Sequence, residues 1–437
     1  MSRERRKLRQ SGTRLLFEAP TAASKTLAVK SIEKLEGGGY QGAVLRSRPE
    51  VQGCGFGRID LSAPIAFAHG AREAANRMVV TVSEGADEVE KPPRVVIAIV
   101  ATDEAKHIIG CLKSLDQSLY RDFGVVICEN GGYDAFERDI HEVAKIPGVA
   151  IAPEVRTVRA GQAESRRFYL GGDSRPVTIL RSRENRGYAG GVNACIAAAG
   201  GGWDFIWVLN PDTFPEPDAL GALVRRQGEG GYGMVGSRMV FVSNGRVQLW
   251  GGMTYWPLLG RCRSLGVNQS VDVTPNVDEV EANLDVIAGC SMFASKEYIE
   301  NVGVMDEDFF VYHEDTEWSL RRGSHRLGYA HDSVVRHLAG ATSGSGGPRP
   351  KRSRFNIHLT ERNRVLLAKK RHPAAWPAFA LVALLQTFEH LLRFRSSRSF
   401  GFALSGWWAG VTGETGMPGF MRDKEGPAAK VFLRRAD

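Results

Sequence analysis

The richest run of reactive side chains is Asp306-Glu307-Asp308-Phe309-Phe310-Val311-Tyr312-His313-Glu314-Asp315-Thr316-Glu317-Trp318. Aromatic residues lead into an acidic cluster at an expected helix start. Acidic side chains gain there from the helix dipole, so capping explains some of them. A carboxylate such as Asp315, or its neighbour Glu314, could also take a proton from a hydroxyl. Trp318 offers a flat apolar face for a sugar ring. His313 reads either as a metal ligand or as a packed imidazole. Asn210-Pro211-Asp212 has two readings. One carboxylate there can hold magnesium or manganese against a diphosphate, since hard cations take oxygen ligands; the same residue types form simple turns. Residues 185–193 (NRGYAGGVN) are a Gly-rich helix start. They are either a structural turn or a cradle of backbone N–H groups for phosphate, with Arg186 adding charge. They do not follow the first strand as a dinucleotide fingerprint would. Gly289 and Cys290 interrupt the apolar run 287–293, as suits close approach of a ligand or a bulge in a core strand. His337 follows an apolar run; a lone His is usually structural, and a metal role stays open.

Such residues act only where a fold brings them together. Residues 95–101 (VVIAIVA), 124–128, 177–180 and 205–209 read as buried strands. Helical patterns follow the first three, near 108–115, 134–145 and 188–199. Strands alternating with helices predict an α/β fold with a mostly parallel sheet flanked by helices. Ligands of such sheets bind beyond the carboxyl ends of the strands. The residues there are Thr102-Asp103-Glu104, then Glu129-Asn130, then Asn210-Pro211-Asp212. Acidic strand ends suit a bound cation and hydroxyl-rich ligands.

The chain has 437 residues, with 57 Lys+Arg against 49 Asp+Glu and a formal net charge of +8. Residues 349–437 hold 17 Lys/Arg and 6 Asp/Glu, so the excess belongs to the C-terminal fifth. A uniformly basic nucleic-acid binder is therefore excluded, and a tail meeting an anionic surface is favoured. The six Cys form no CxxC pair. They read as reduced core thiols of a cytoplasmic protein. The start, MSRERRKLRQ, carries no apolar signal segment. Residues 1–38 are expected to be partly disordered, with a small β module within 39–82 and a linker at 83–94.

In this order the motifs resemble the family 2 glycosyltransferases, of GT-A fold, and most of all their rhamnosyltransferase-like branch. The likeness spans about Arg94 to Lys370 and rests on residues 185–193, 210–212, 288–292 and 306–315. The resemblance implies inverting sugar transfer from a nucleotide-diphosphate donor, dTDP-rhamnose or a UDP-sugar, to a glycan or lipid-linked acceptor. It implies a divalent metal, magnesium or manganese, held by Asp212 with His337. Asp315 of the E-D pair would be the general base, with Glu314 beside it. Ala101, Thr102, Asp103, Glu129, Asn130, Asn185, Arg186, Gly187, Asn193 and Asn210 would line the donor pocket. Gly289, Cys290, Glu317 and Trp318 would face the acceptor. Arg362-Asn363 resembles a pair that follows the catalytic domain. Glu129 stands where the family usually has Asp, and the metal motif has one acid rather than two. A sugar-nucleotide nucleotidyltransferase would need a basic Gly-rich loop after the first strand, and residues 100–106 (VATDEAK) do not supply one. A non-catalytic scaffold is the other rival, and the presence of both Asp212 and Asp315 argues against it.

Beyond the catalytic region, residues 349–372 contain nine Lys/Arg and one Glu, and the apolar run 376–386 follows. That run is too short to span a bilayer, which needs about 20 residues. A basic cluster beside an apolar helix suits attachment to the inner membrane surface. Packing on the catalytic domain or in an oligomer is the other reading. The expected organisation is an N-terminal extension 1–92, a catalytic domain 93–348 and a basic helical region 349–437.

Overall fold

The computed structural model describes residues 91–155, 162–172, 175–339 and 353–422, and four backbone strands nearer the N-terminus. Compactness divides the chain after Lys91, and no division falls at 349. In the first unit β1 (Arg6–Gln10), β2 (Thr13–Phe17), β3 (Ala28–Lys34) and β4 (Met78–Val79) form an antiparallel sheet. Three of these strands lie in the stretch expected to be partly disordered. Most of the β module expected at 39–82 lies outside the described residues.

The second unit is built on a sheet of eleven strands. Its centre is β9 (Arg175–Ser182), β6 (Phe123–Glu129), β5 (Val95–Ala101) and β10 (Phe205–Leu209), in that spatial order and all parallel. β5 and β6 are buried throughout, which is why they read as unbroken apolar runs. α1 (Ala105–Asp116), α2 (Tyr133–Val143) and α3 (Gly187–Ala199) follow them, as the periodicity predicts. Two apolar layers cover the two faces of the sheet, one around Ile97, Ile99 and Trp207, the other around Ala98, Val208 and Met292. Cys111, Cys128 and Cys195 are buried, and the five described cysteines are free.

The flanks differ from the expected mostly parallel sheet, because six of the ten pairings are antiparallel. β7 (Ala150–Val155) and β8 (Gln162–Leu170) extend one edge. On the other side lie β17 (Ser291–Ser295), β12 (Met234–Phe241) with β13 (Val247–Trp250), β18 (Leu327–His337) and β11 (Thr213–Pro215). A three-stranded sheet of β15 (Arg261–Ser264), β14 (Gly252–Trp256) and β16 (Val286–Ile287) stands beside them. The remaining helices begin with α4 (Ala219–Gly230), α5 (Val277–Ala282), α6 (Lys296–Val302) and α7 (Glu314–Leu320). The C-terminal helices are α8 (Arg354–Arg371), α9 (Trp376–Thr387), α10 (Glu389–Leu392), α11 (Ser397–Thr412) and α12 (Gly419–Arg422). No described helix is long and apolar enough to cross a membrane. Strand order reverses between β5 and β10, and the crevice at such a switch point is where ligands of open α/β sheets bind.

Candidate active site

After β10 the chain turns through Asn210-Pro211-Asp212 into β11, which pairs antiparallel with the end of β18 so that Thr213 faces His337. This pairing sets Asp212 Oδ1 3.2 Å from His337 Nε2, with both side chains buried. His337 Nδ1 lies 2.9 Å from Gln248 Oε1 on β13. That oxygen can only accept, so Nδ1 carries a hydrogen. Burial alone would lower the His337 pKa; its bonds to Asp212 and Cys290 outweigh this and raise it to about 10. The ring is therefore cationic and faces a carboxylate. Among the described residues no group of three or more His, Cys, Asp or Glu side chains could hold a metal. The pair still fits a divalent cation with one oxygen and one nitrogen ligand, since Gln248 fixes the ring orientation in the manner of metal-bound histidines. The remaining ligands would be diphosphate oxygens and water, and binding would release the imidazole proton.

The acidic run forms a second pair. Asp315 Oδ2 accepts from Gly289 N at 3.0 Å, and Oδ1 accepts from Thr316 N at 2.6 Å. A Cβ on Gly289 would lie 3.1 Å from Asp315 Oδ2, so glycine permits this approach. Burial raises the Asp315 pKa against these hydrogen bonds. Burial, and then the charge of Asp315, push Glu314 up to about 8. Glu314 is thus protonated at neutral pH, and its buried Oε2 has no hydrogen-bond partner. Burial takes His313 down to about 3, so it is a neutral, packed imidazole.

The loop before α7 is strained. Phe310, Tyr312 and His313 have φ of 64°, 72° and 69°, where non-glycine residues are uncommon. Phe310 sits in a γ-turn of the strained, positive-φ kind, closed by Val311 N to Phe309 O at 2.8 Å. Such backbone persists only when its surroundings over-determine it. α8 supplies that restraint. Asn363 Nδ2 donates to the carbonyls of Phe309, Val311 and Tyr312 at 2.8, 2.9 and 2.7 Å. Buried Arg362 donates to Phe309 O at 3.0 Å and Gly416 O at 2.7 Å.

The residues expected to line the donor pocket divide into two sets. Ala101, Thr102, Asp103, Asn130 and Asn210 do meet at the carboxyl ends of β5, β6 and β10. Asp103 pairs with Arg138, and Asn130 Nδ2 donates to Gly187 O at 2.8 Å. Glu129 is different, being fully buried and turned inward. Its Oε1 accepts from Asp103 N and Gly131 N. Its second oxygen and both oxygens of Asp139 lack other partners, so one shared proton joins the two acids. Burial, and then the charge of Glu129, push Asp139 up to about 10. A fully buried Glu129 does not contact a donor base.

The Gly-rich turn is structural. Asn185 Oδ1 takes Gly187 N at 2.9 Å, and Phe310 O takes Tyr188 N at 2.6 Å and Ala189 N at 3.3 Å. The N–H groups proposed for phosphate are therefore occupied. Gly187 is needed because its φ is 72° and a Cβ there would lie 2.2 Å from Phe310 O. Arg186 pairs with Glu307 at 2.6 Å, and Asn193 Nδ2 reaches Met305 O at 2.9 Å and Glu307 Oε1 at 3.0 Å. These residues dock the base loop on α3 rather than line a donor pocket.

On the acceptor side, Gly289 touches Asp315, and Cys290 lies against His337. The loop 289–290 thus joins the two pairs. Trp318 and Glu317 do not face an acceptor. Trp318 is fully buried, edge-on to Tyr298, and its indole N–H donates to Gly303 O at 2.9 Å. Glu317 is buried and pairs with Arg321 at 2.9 Å. Sequence reasoning gave no role to Gln248, Asp139 or Tyr188. Tyr188 Oη donates to Gly289 O at 2.6 Å and lies 3.1 Å from the Asn210 amide. Its place in the Gly-rich run was the one available signal.

Residues 96–303, a little under half of the chain, match the family described as glycosyl transferase family 2. The match covers the parallel strands, Asp212 and Gly289, and ends before Asp315 and His337. No curated protein matches this chain. Among solved structures, a mannosyltransferase from Pyrobaculum calidifontis, in complex with GDP-Man and Mn2+, is 15% identical with a TM-score of 0.41, covering 74% of this chain and 76% of its own. GalNAc-T7 with UDP, GalNAc and Mn2+ is 14% identical with a TM-score of 0.44, over 64% of this chain and 48% of its own. S. aureus TarS 1-349 is 11% identical with a TM-score of 0.39, over 73% and 81%.

Proposed function

We propose that this protein is a metal-assisted, inverting glycosyltransferase of the family 2 type. It would move a sugar from a nucleoside-diphosphate donor, dTDP-rhamnose or a UDP-sugar, to a hydroxyl of a glycan or lipid-linked acceptor. Envelope polysaccharide synthesis at the cytoplasmic face of the membrane is the setting that fits. The carrying observation is that Asp315 and the Asp212–His337 pair meet across the loop Gly289–Cys290.

Asp315, held by Gly289 N–H and Thr316 N–H, takes the proton of the acceptor hydroxyl. The acceptor oxygen forms its bond to the anomeric carbon as the bond from that carbon to the donor diphosphate breaks. The nucleoside diphosphate leaves with the electron pair, and the configuration inverts. A divalent cation held by Asp212 and His337 would offset the charge on the leaving diphosphate. Protonated Glu314 adds no charge beside Asp315, which leaves that carboxylate free to act as the base.

The test is the melting temperature with UDP-, dTDP- and GDP-sugars, with manganese or with EDTA. A ligand that binds only the native state raises it by mass action. The expected result is a shift with one nucleotide class that EDTA removes and that Asp212→Ala lacks. No shift with any of them would overturn the reading.

A further inference from the structure

The outward face of the C-terminal helices takes no part in the chemistry above. Phe388, between α9 and α10, has right-handed helical dihedrals, so the two run on as one helix. On it Leu381, Leu385, Phe388 and Leu392 recur at steps of four, three and four. At ~100° per residue they fall within an arc of about 60°. All are exposed, Leu385 at 62% and Leu392 at 82%. Ala380, Ala383 and Thr387, on the opposite side, are buried. α11 repeats the division. Leu404 and Trp408 are exposed, while Gly406 and Gly410 press against the main chain of α8.

The tip of the β14–β15 hairpin joins this face. Gln386 Nε2 donates to Leu259 O at 3.2 Å, and Arg261 pairs with Glu389 at 2.6 Å. Beside these contacts Trp256 and Leu258 are exposed. Glu389 is the one acid between 376 and 412, and it is held between Arg261 and Arg393. Arg393, Arg395 and Arg398 are exposed. The surface is therefore apolar and aromatic with a cationic rim.

We propose that this face docks on an anionic lipid bilayer; this deepens the membrane setting of the reading above and rests on it. Leucine and aromatic side chains enter the interface while arginines meet lipid phosphates. A second copy of the chain fits worse, because an isologous contact would set these arginines against their own counterparts. The root of the hairpin also suits the proposal. Gly252 pairs with Ile287, two residues before Gly289. Trp256 lies four residues along β14, roughly 14 Å at ~3.4 Å per residue. A lipid-linked acceptor would have only that distance to cover.

The test is flotation of the full chain with vesicles of phosphatidylcholine alone, or of phosphatidylcholine and phosphatidylglycerol at about three to one. Expected is binding to the anionic vesicles that falls with salt and drops at least about tenfold in Leu385→Glu/Leu392→Glu. Arg393→Gln/Arg395→Gln should weaken binding more mildly. The nucleotide-sugar melting shift should be unchanged in both variants, which shows that the fold and the donor site are intact. Wild-type binding that both variants keep would overturn the face while leaving the membrane setting standing. No binding to either vesicle would overturn both. A dimer in light scattering that the leucine variant splits, without vesicle binding, would make a second copy the occupant and overturn the proposal.

Discussion

The two acid-bearing pairs of the site are built on opposite principles. Asp212 and His337 carry opposite charges, sit at the ends of paired strands and support each other's ionisation. Glu314 and Asp315 carry like charges, start a short helix after a strained loop and suppress each other's ionisation. A pair of the first kind holds charge and is suited to a cation and a diphosphate. A pair of the second kind holds proton affinity and is suited to accepting a proton. The location of each follows from its task. A charge-holding pair gains from a stiff sheet, and a base must reach over the small residues Gly289 and Cys290.

The largest effect that would break this division is at Asp315. Asp315→Asn should lower kcat by at least about 100-fold with the metal-dependent donor shift intact; near-normal turnover would remove it from the base role. A smaller effect is expected from the clamp. Asn363→Ala frees three carbonyls at once and should cost about 1–3 kcal/mol of stability. It should also lower kcat about tenfold with donor affinity unchanged, and a loss confined to stability would make the clamp purely structural. Smaller again is a pH effect. Glu314 keeps in the fold a proton that it yields when unfolded, so its stabilisation is full below about pH 4.5 and lost as pH rises through about 8. Glu314→Gln should flatten the fall in melting temperature across that window, and an unchanged slope would mean that Glu314 ionises in the fold. The smallest functional effect is at Trp318. Trp318→Phe should lower the melting temperature by several degrees and leave acceptor KM unchanged, because the ring lies in the core. A raised KM would restore its acceptor role.

The central strands were legible because β5 and β6 are buried on both faces and so spell continuous apolar runs. The antiparallel flank was not, since the neighbours of β12, β17 and β18 are set by pairings between distant segments. The site shows the same boundary. The residue types at Asp212, His337, Gly289 and Asp315 pointed to chemistry, and the fold brings them together. The Gly-rich turn was legible as a turn, yet the atom that occupies its N–H groups comes from Phe310, more than 120 residues on. Trp318 was legible as an aromatic surface, but a seven-residue helix has too few turns for periodicity to show which side faces inward. Glu129 differs from the expected acid by one methylene, and the longer side chain lies buried beside Asp139, a partner that spacing does not reveal.

The single carbonyl of Phe310 accepts from two N–H groups at the start of α3, while Asn363 grips the carbonyls on either side of it. Segments 185–193, 308–316 and 354–364 are in that sense one cassette with three entries into the chain. A chimaera that exchanged the first 340 residues between two such enzymes would leave a foreign α8 gripping the base loop. Its activity would then report on how well three segments fit, not on which donor each parent prefers. Grafting all three together is the smallest exchange that carries the base intact.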